Sequence, residues 1–76
     1  MKGYVVCRKH SDDQNISEMD RFDTKGEALA MLKLYAEDQN KGNRPDRLVK
    51  TAEHYHFFYN SHNVRYDIAL WVEKVK

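Results

Sequence analysis

Two histidines, His54 and His56, alternate along a segment that is typical of a β-strand, and Asp67 lies on the segment predicted to pair with it. Side chains two residues apart on a strand point to the same face, about 7 Å from each other. Two imidazoles and a carboxylate are ligands that zinc accepts. A simple ion pair between His56 and Asp67 accounts for the same residues, and His10 and His62 are predicted to lie elsewhere. We therefore predict no metal site.

Large aromatic and basic side chains are predicted beside these histidines. Phe58, Arg65 and Trp71 share their face of a C-terminal hairpin, which a single helix packed on the other face would leave uncovered. Rigid rings provide contact area at little entropic cost. The sequence thus predicts a protein-binding surface with Trp71 and Phe58 as apolar anchors and Arg65, His54 and His56 as polar contacts. In the alternative interpretation, the two rings pack beneath a loop or beneath the N-terminal hairpin.

A basic segment at residues 41–50 suggests a second kind of partner. It is predicted as a loop and carries one acidic residue and four basic ones: Lys41, Arg44, Arg47 and Lys50. With Phe58 and Trp71 as stacking platforms, such a loop could bind single-stranded nucleic acid. Residues 12–38, however, carry eight acidic and three basic side chains, and the net charge is only +1. Nucleic acid is therefore the alternative partner, behind protein.

Nucleophilic catalysis needs a thiol or hydroxyl beside an oriented base. Cys7, the single cysteine, lies in an apolar strand segment, and Ser11, Ser17 and Ser61 lack the flanking glycines of a nucleophile elbow. A domain of this size also has little volume for a pocket that excludes water. We expect a chain that is not an enzyme and that binds no cofactor.

The single cysteine excludes an internal disulfide and favours a reducing compartment. The apolar run at the N-terminus is shorter than the roughly 7–15 residues of a signal-peptide core. No stretch approaches the ~20 apolar residues of a membrane span. We therefore expect a soluble, unprocessed, cytoplasmic protein that does not contact a membrane.

The first half of the chain predicts a β-hairpin and a helix. Strands are expected at 4–10 and 16–22, separated by a polar turn, with the second at an edge of the sheet. The spacing of Thr24 and Glu27 fits a capping box. Apolar residues then recur at steps of three and four as far as about Asn40. Gly42 is expected to end the helix in a left-handed conformation.

The last thirty residues predict two long strands, 48–59 and 64–75, with a four-residue turn at 60–63. If Tyr59 opposes Val64, the numbers of opposed residues sum to 123, which places apolar side chains on one face. A one-residue slip would set apolar groups against charges. His56 then opposes Asp67, and Lys50 opposes Glu73.

These elements predict an α+β fold. We expect one small domain, residues 1–76, with two layers, ββαββ order and a four-stranded antiparallel sheet carrying the helix on one face. The charged fraction of 33% and the hydrophobic fraction of 41% are typical of a small folded domain.

The predicted function is that of a non-enzymatic binding module, an adaptor or a stoichiometric inhibitor, that associates with a protein partner. Small α+β domains of this kind are frequent among phage and mobile-element inhibitors of host machinery, including anti-CRISPR-like proteins, an analogy of fold only. A homodimer is also expected, paired either sheet to sheet or edge to edge, because pairing would bury Trp71.

Overall fold

The computed structural model describes residues 2–61 and 64–75. Their element order is ββαβββ, and six elements are present: β1 (Tyr4–His10), β2 (Ser17–Phe22), α1 (Lys25–Gly42), β3 (Arg47–Lys50), β4 (His54–Ser61) and β5 (Val64–Lys74). The strands form one five-stranded antiparallel sheet in the order β2-β1-β5-β4-β3. The α+β class is confirmed, with one helix packed against an antiparallel sheet.

The prediction of four strands in ββαββ order is wrong, because the segment 48–59 contains a turn. The amide of Thr51 donates to the carbonyl of His54 at 2.8 Å, and the amide of Glu53 donates to the Thr51 hydroxyl at 3.3 Å. The threonine side chain thus supplies the hydrogen bond that a turn needs without glycine, asparagine or proline. The chain reverses between Lys50 and His54, and β3 becomes an additional edge strand.

The register of β4 and β5 differs from the predicted one by two residues. Tyr59 opposes Tyr66 and Ser61 opposes Val64, so the numbers of opposed residues sum to 125. Asn60 and Ser61 belong to β4 instead of the predicted turn, and His62 and Asn63 lie outside the described residues. A shift of two residues preserves the face of every side chain, because the side-chain period of a strand is two. The predicted division into two faces is therefore confirmed for β4 and β5, although the predicted opposed pairs are wrong. It is wrong for Lys50, which was expected opposite Glu73 and lies on the helix side opposite Tyr55.

The helix begins as the capping box predicts. Thr24 is the N-cap, and its hydroxyl accepts from the amide of Glu27 at 3.2 Å and donates to the Glu27 carboxylate at 2.9 Å. The prediction that Gly42 ends the helix in a left-handed conformation is wrong, because Gly42 still belongs to α1. Asn43 forms the C-cap with an extended backbone, and its amide donates to the Gln39 carbonyl at 2.9 Å.

The core lies between α1 and one face of the sheet. Ala28, Leu32 and Ala36 form the buried stripe of the helix, and the sheet contributes five buried side chains: Val6, Phe57, Tyr59, Ile68 and Leu70. We call this face the helix side and the opposite face the open face. Within the described residues, no helix is both long and apolar enough to cross a membrane.

Candidate protein-binding face

Four rings form a continuous row on the open face. His54, His56 and Phe58 follow one another at alternate positions of β4, and Trp71 opposes His54 on β5. The ring centroids of His56 and Phe58 are 4.2 Å apart and nearly parallel, those of His54 and His56 are 5.7 Å apart, and those of His54 and Trp71 are 6.3 Å apart. We call these four residues the ring row; each of them is half-buried. The structure brings together the histidines and rings that the sequence placed on one face.

β3 adds a cation to this row. Arg47 opposes Phe58 across the β3–β4 pair, and its guanidinium carbon lies 5.8 Å from the centroid of the Phe58 ring. This distance is within the range of a cation–π contact. The sequence predicts Arg47 in a basic loop, and this prediction is wrong because the chain turns between β3 and β4 and Arg47 belongs to β3. The strand-forming pair Leu48-Val49 next to Arg47 was the available signal.

Asp67 holds His56 across the hairpin. The His56 Nε2 and Asp67 Oδ2 atoms are 2.5 Å apart. The predicted contact is present, but it is diagonal, because the register sets His56 opposite Ala69 and Asp67 opposite Phe58. The amide of Asp67 also donates to the Ser11 hydroxyl at 3.0 Å, and the amide of Ser11 donates to the Asp67 carbonyl at 2.8 Å. Asp67 is therefore fixed by the turn that follows β1.

The surroundings of His54, the neighbour of His56 in the ring row, change its pKa. Burial lowers the pKa of His54, and the neighbouring His56 lowers it further. Both effects disfavour the imidazolium form. Among residues 2–61 and 64–75, no group of three or more histidine, cysteine, aspartate and glutamate side chains is placed to hold a metal ion. The contact between His56 and Asp67 joins an imidazole nitrogen to a carboxylate oxygen.

Trp71 lies on the open face where β5 pairs with β1. It opposes Cys7, which is 2% exposed, and its indole Nε1 donates to the Glu73 carboxylate at 2.8 Å. Burial raises the pKa of the Cys7 thiol, and the carboxylates of Glu73 and Glu18 raise it further. The thiolate that nucleophilic chemistry requires is disfavoured at this site.

The open face ends in a shallow depression of about 620 Å³ near the turn that follows β1. Its lining includes Phe58, two arginines, Arg47 and Arg65, and two aspartates, Asp12 and Asp67. Among the described residues, neither guanidinium has a carboxylate within ion-pair distance. This end of the face therefore combines an aromatic ring with two guanidinium groups that have no carboxylate within ion-pair distance among the described residues.

The predicted basic loop does not form one surface. Lys41 lies in the last turn of α1, Arg44 lies in the connection to β3, and Arg47 and Lys50 belong to β3 itself. Arg47 opposes Phe58, on the open face, whereas Lys50 opposes Tyr55, on the helix side. The interpretation of 41–50 as a loop is therefore wrong at both ends, because Lys41 and Gly42 belong to α1 and residues 47–50 form β3. Strand pairing sends the side chains of Arg47 and Lys50 to opposite faces.

The geometry joins aromatic, imidazole and guanidinium groups on one uncovered face. Comparison of the chain with protein-family models, with curated proteins and with solved structures found no match. The function is therefore argued from the face itself.

Proposed function

We propose that the chain is a non-enzymatic binding module that docks onto a protein partner through the open face of its sheet. The observation that carries this proposal is the ring row, which stands half-buried on the face opposite to the helix. Docking would bury the remaining exposed area of these rings at about 25 cal/mol per Å². A module of this kind acts by occupying a surface of its partner, as an adaptor or a stoichiometric inhibitor.

The charges of the face define the chemistry of the partner. Asp67 is engaged by His56 and Glu73 by Trp71, whereas Arg47 and Arg65 have no carboxylate partner among the described residues. The complementary surface is therefore an apolar patch bordered by carboxylates. Arginine beside aromatic rings is typical of the residues that contribute most to protein interfaces.

The orientation of the rings favours a protein over single-stranded nucleic acid. A base stacks on the free face of an aromatic ring. One face of Phe58 is covered by His56 at 4.2 Å, and the guanidinium of Arg47 also lies over the ring. The cations predicted to neutralise phosphates diverge to opposite sides of the sheet, which weakens the alternative further.

The experiment is affinity capture with the tagged chain, followed by titration of the captured protein against two charge-reversal variants. Arg65→Glu changes the exposed end of the open face, and Lys41→Glu is the matched control at the end of α1. We expect Arg65→Glu to weaken binding by at least about tenfold, since a reversed rim charge is unfavourable. Lys41→Glu should leave the affinity unchanged.

Three other outcomes would contradict the proposal. Equal loss of affinity in both variants would indicate a general charge effect rather than docking through the open face. A complex with single-stranded nucleic acid whose affinity falls with salt at a log–log slope near −3, as four phosphate contacts require, would favour the alternative. A dimer by light scattering that Arg65→Glu dissociates would assign the face to a second copy of the chain.

A further inference from the structure

The strand β3 ends the sheet on the side away from β2, and its outer backbone groups face away from the protein. Opposed residues in antiparallel strands alternate between hydrogen-bonded and non-hydrogen-bonded pairs. The amide of Thr51 donates to His54, so Val49 and Arg47, at alternate positions, also direct their N–H and C=O groups toward β4. The N–H and C=O groups of Leu48 and Lys50 therefore point outward, and no described strand lies on that side.

Apolar side chains flank this edge on both faces. Leu48 is 37% exposed on the helix side, and Val49 is 41% exposed on the open face. A groove of about 160 Å³ runs between Leu48 and α1, and the aromatic rings of Tyr55 and Phe57 line it. An extended segment paired with β3 would place alternate side chains at the mouth of this groove.

The charges around β3 are mostly positive. Arg47 and Lys50 lie on the strand, Arg44 precedes it, and Lys33 and Lys50 line the groove, where Glu37 is the acidic residue. The carboxylate of the acidic residue Asp46 accepts a hydrogen bond from the backbone amide of Asn60 at 2.6 Å. The edge therefore favours a segment that carries carboxylates.

The opposite edge of the sheet has different protection. β2 pairs with β1 through a β-bulge between Val6 and Cys7, and it carries Glu18 and Asp20 together with Arg21. Bulges and charged side chains are the usual means by which edge strands avoid pairing with other chains. β3 has its charges at its two ends and apolar residues in the middle, so its central positions are less protected.

We propose that β3 accepts an extended acidic segment of a partner protein as an added antiparallel strand. Main-chain hydrogen bonds to Leu48 and Lys50 would hold the segment, an apolar side chain would enter the groove beside Leu48, and carboxylates would face Arg47 and Lys50. This mode of recognition obtains affinity from the backbone and specificity from alternate side chains. The outward backbone groups of β3 and the groove beside Leu48 take no part in docking on the open face, although the two surfaces share Arg47.

A second copy of the chain fits this edge less well. Two β3 strands related by a two-fold axis would bring both sets of basic side chains together, which is unfavourable between like charges. A second copy could present its acidic β2 instead, but that contact is head-to-tail and leaves free edges at both ends. An acidic segment from another protein satisfies the edge without either difficulty.

The test is a titration of the isotopically labelled chain with a peptide whose central residues are glutamate, valine, valine and glutamate, in which the glutamates oppose Lys50 and Arg47. The amide resonances of the protein report the binding. We expect the largest shifts at Leu48 and Lys50 at submillimolar to millimolar peptide. A peptide with lysine in place of glutamate, and an acidic peptide with a central proline, should bind at least about fivefold more weakly.

Two substitutions at one position separate the backbone from the side chain. Lys50→Ala removes a charge, whereas Lys50→Pro also removes the outward N–H and is compatible with an edge strand. We expect Lys50→Pro to weaken peptide binding about fivefold more than Lys50→Ala, because the proline variant also loses one backbone hydrogen bond to the peptide. An unchanged amide spectrum outside residues 46–57 shows that each variant is folded.

Several results would overturn the proposal. These are equal binding by Lys50→Pro and Lys50→Ala, absence of shifts in β3 at millimolar peptide, or equal binding of the lysine peptide. Concentration-dependent shifts in β2 and β3 without peptide would assign the edge to a second copy. Arg65→Glu should leave peptide binding unchanged, so failure of the open-face proposal and failure of this one are distinguishable.

Discussion

Both faces of the sheet carry aromatic residues, but the rings on one face pack against α1 and the rings on the other do not. On the helix side, Tyr59 and Tyr66 stack with centroids 4.7 Å apart, and their hydroxyls are bonded to Gln39 and Asn43 at the end of α1. On the open face, His56 and Phe58 stack with centroids 4.2 Å apart, and α1 does not cover them because it packs on the opposite face. Rings on the helix side therefore belong to the core, whereas rings on the open face remain half-buried, as the proposed docking requires.

Adjacent phenylalanines on β4 provide the sharpest test of this difference. Phe57 is 0% exposed in the core, whereas Phe58 is half-buried in the ring row. We expect Phe57→Ala to lower the free energy of unfolding by about 3–5 kcal/mol, because it removes packing and leaves a cavity. Phe58→Ala should cost about 1 kcal/mol, the value of an aromatic contact. Urea denaturation measures both, and equal losses would mean that the two faces do not differ.

The second test concerns the hydroxyl that attaches the sheet to the end of α1. Tyr59 donates to the Asn43 carbonyl at 2.7 Å and accepts from Gln39 at 2.9 Å. Tyr59→Phe keeps the ring and should lower the free energy of unfolding by about 1–2 kcal/mol, because it leaves both partners unpaired. The thermal midpoint reports the change. An unchanged midpoint would show that the ring stack alone positions the helix.

The third test uses the pH dependence of the open face. The pKa of His54 is lowered in the folded chain, so the unfolded chain binds its proton more readily. The contribution of neutral His54 to the free energy of unfolding is complete above the pKa of the unfolded chain, about 6.5. It is lost as the pH falls through the lower pKa of the folded chain. We expect a smaller loss of stability between pH 7 and pH 5 in His54→Gln than in the unmodified chain. Denaturation at the two pH values measures it, and an equal loss would remove His54 from the account.

The smallest effect is expected away from both faces. Lys25 and Glu53 form an ion pair, and about half of each side chain is exposed. The carboxylate of Glu53 raises the pKa of Lys25, but solvent screens an exposed pair. Lys25→Ala should leave the denaturation midpoint within measurement error. A clear decrease would show that charges at the start of α1 contribute to the fold.

Much of the fold follows from periodicity in the sequence. The capping residues Thr24 and Glu27 and the spacing of Ala28, Leu32 and Ala36 define the helix and its buried side. The alternation in β4 and β5 assigns each side chain to a face even though the register is wrong by two residues, since face depends only on parity. The ring row was therefore predictable without the correct pairing.

The β3–β4 turn was not predictable from composition. Thr51, Ala52 and Glu53 lack the glycine, proline or asparagine that marks a turn, and the reversal depends on a hydrogen bond to a threonine side chain. Because the sequence does not indicate this turn, it predicts four strands instead of five and places Arg47 in a loop. The exposed edge of β3 and the groove between Leu48 and α1 were not predictable either, since a groove between two elements depends on how they pack in the folded chain.

The most direct test of the open-face account is site-specific photo-crosslinking to the captured partner. A benzophenone side chain replaces Phe58 in the ring row in one variant and Leu34, which is 54% exposed on α1, in the other. The account predicts a one-to-one covalent complex from position 58 and none from position 34. A complex from position 34 alone, with position 58 unreactive, would contradict it.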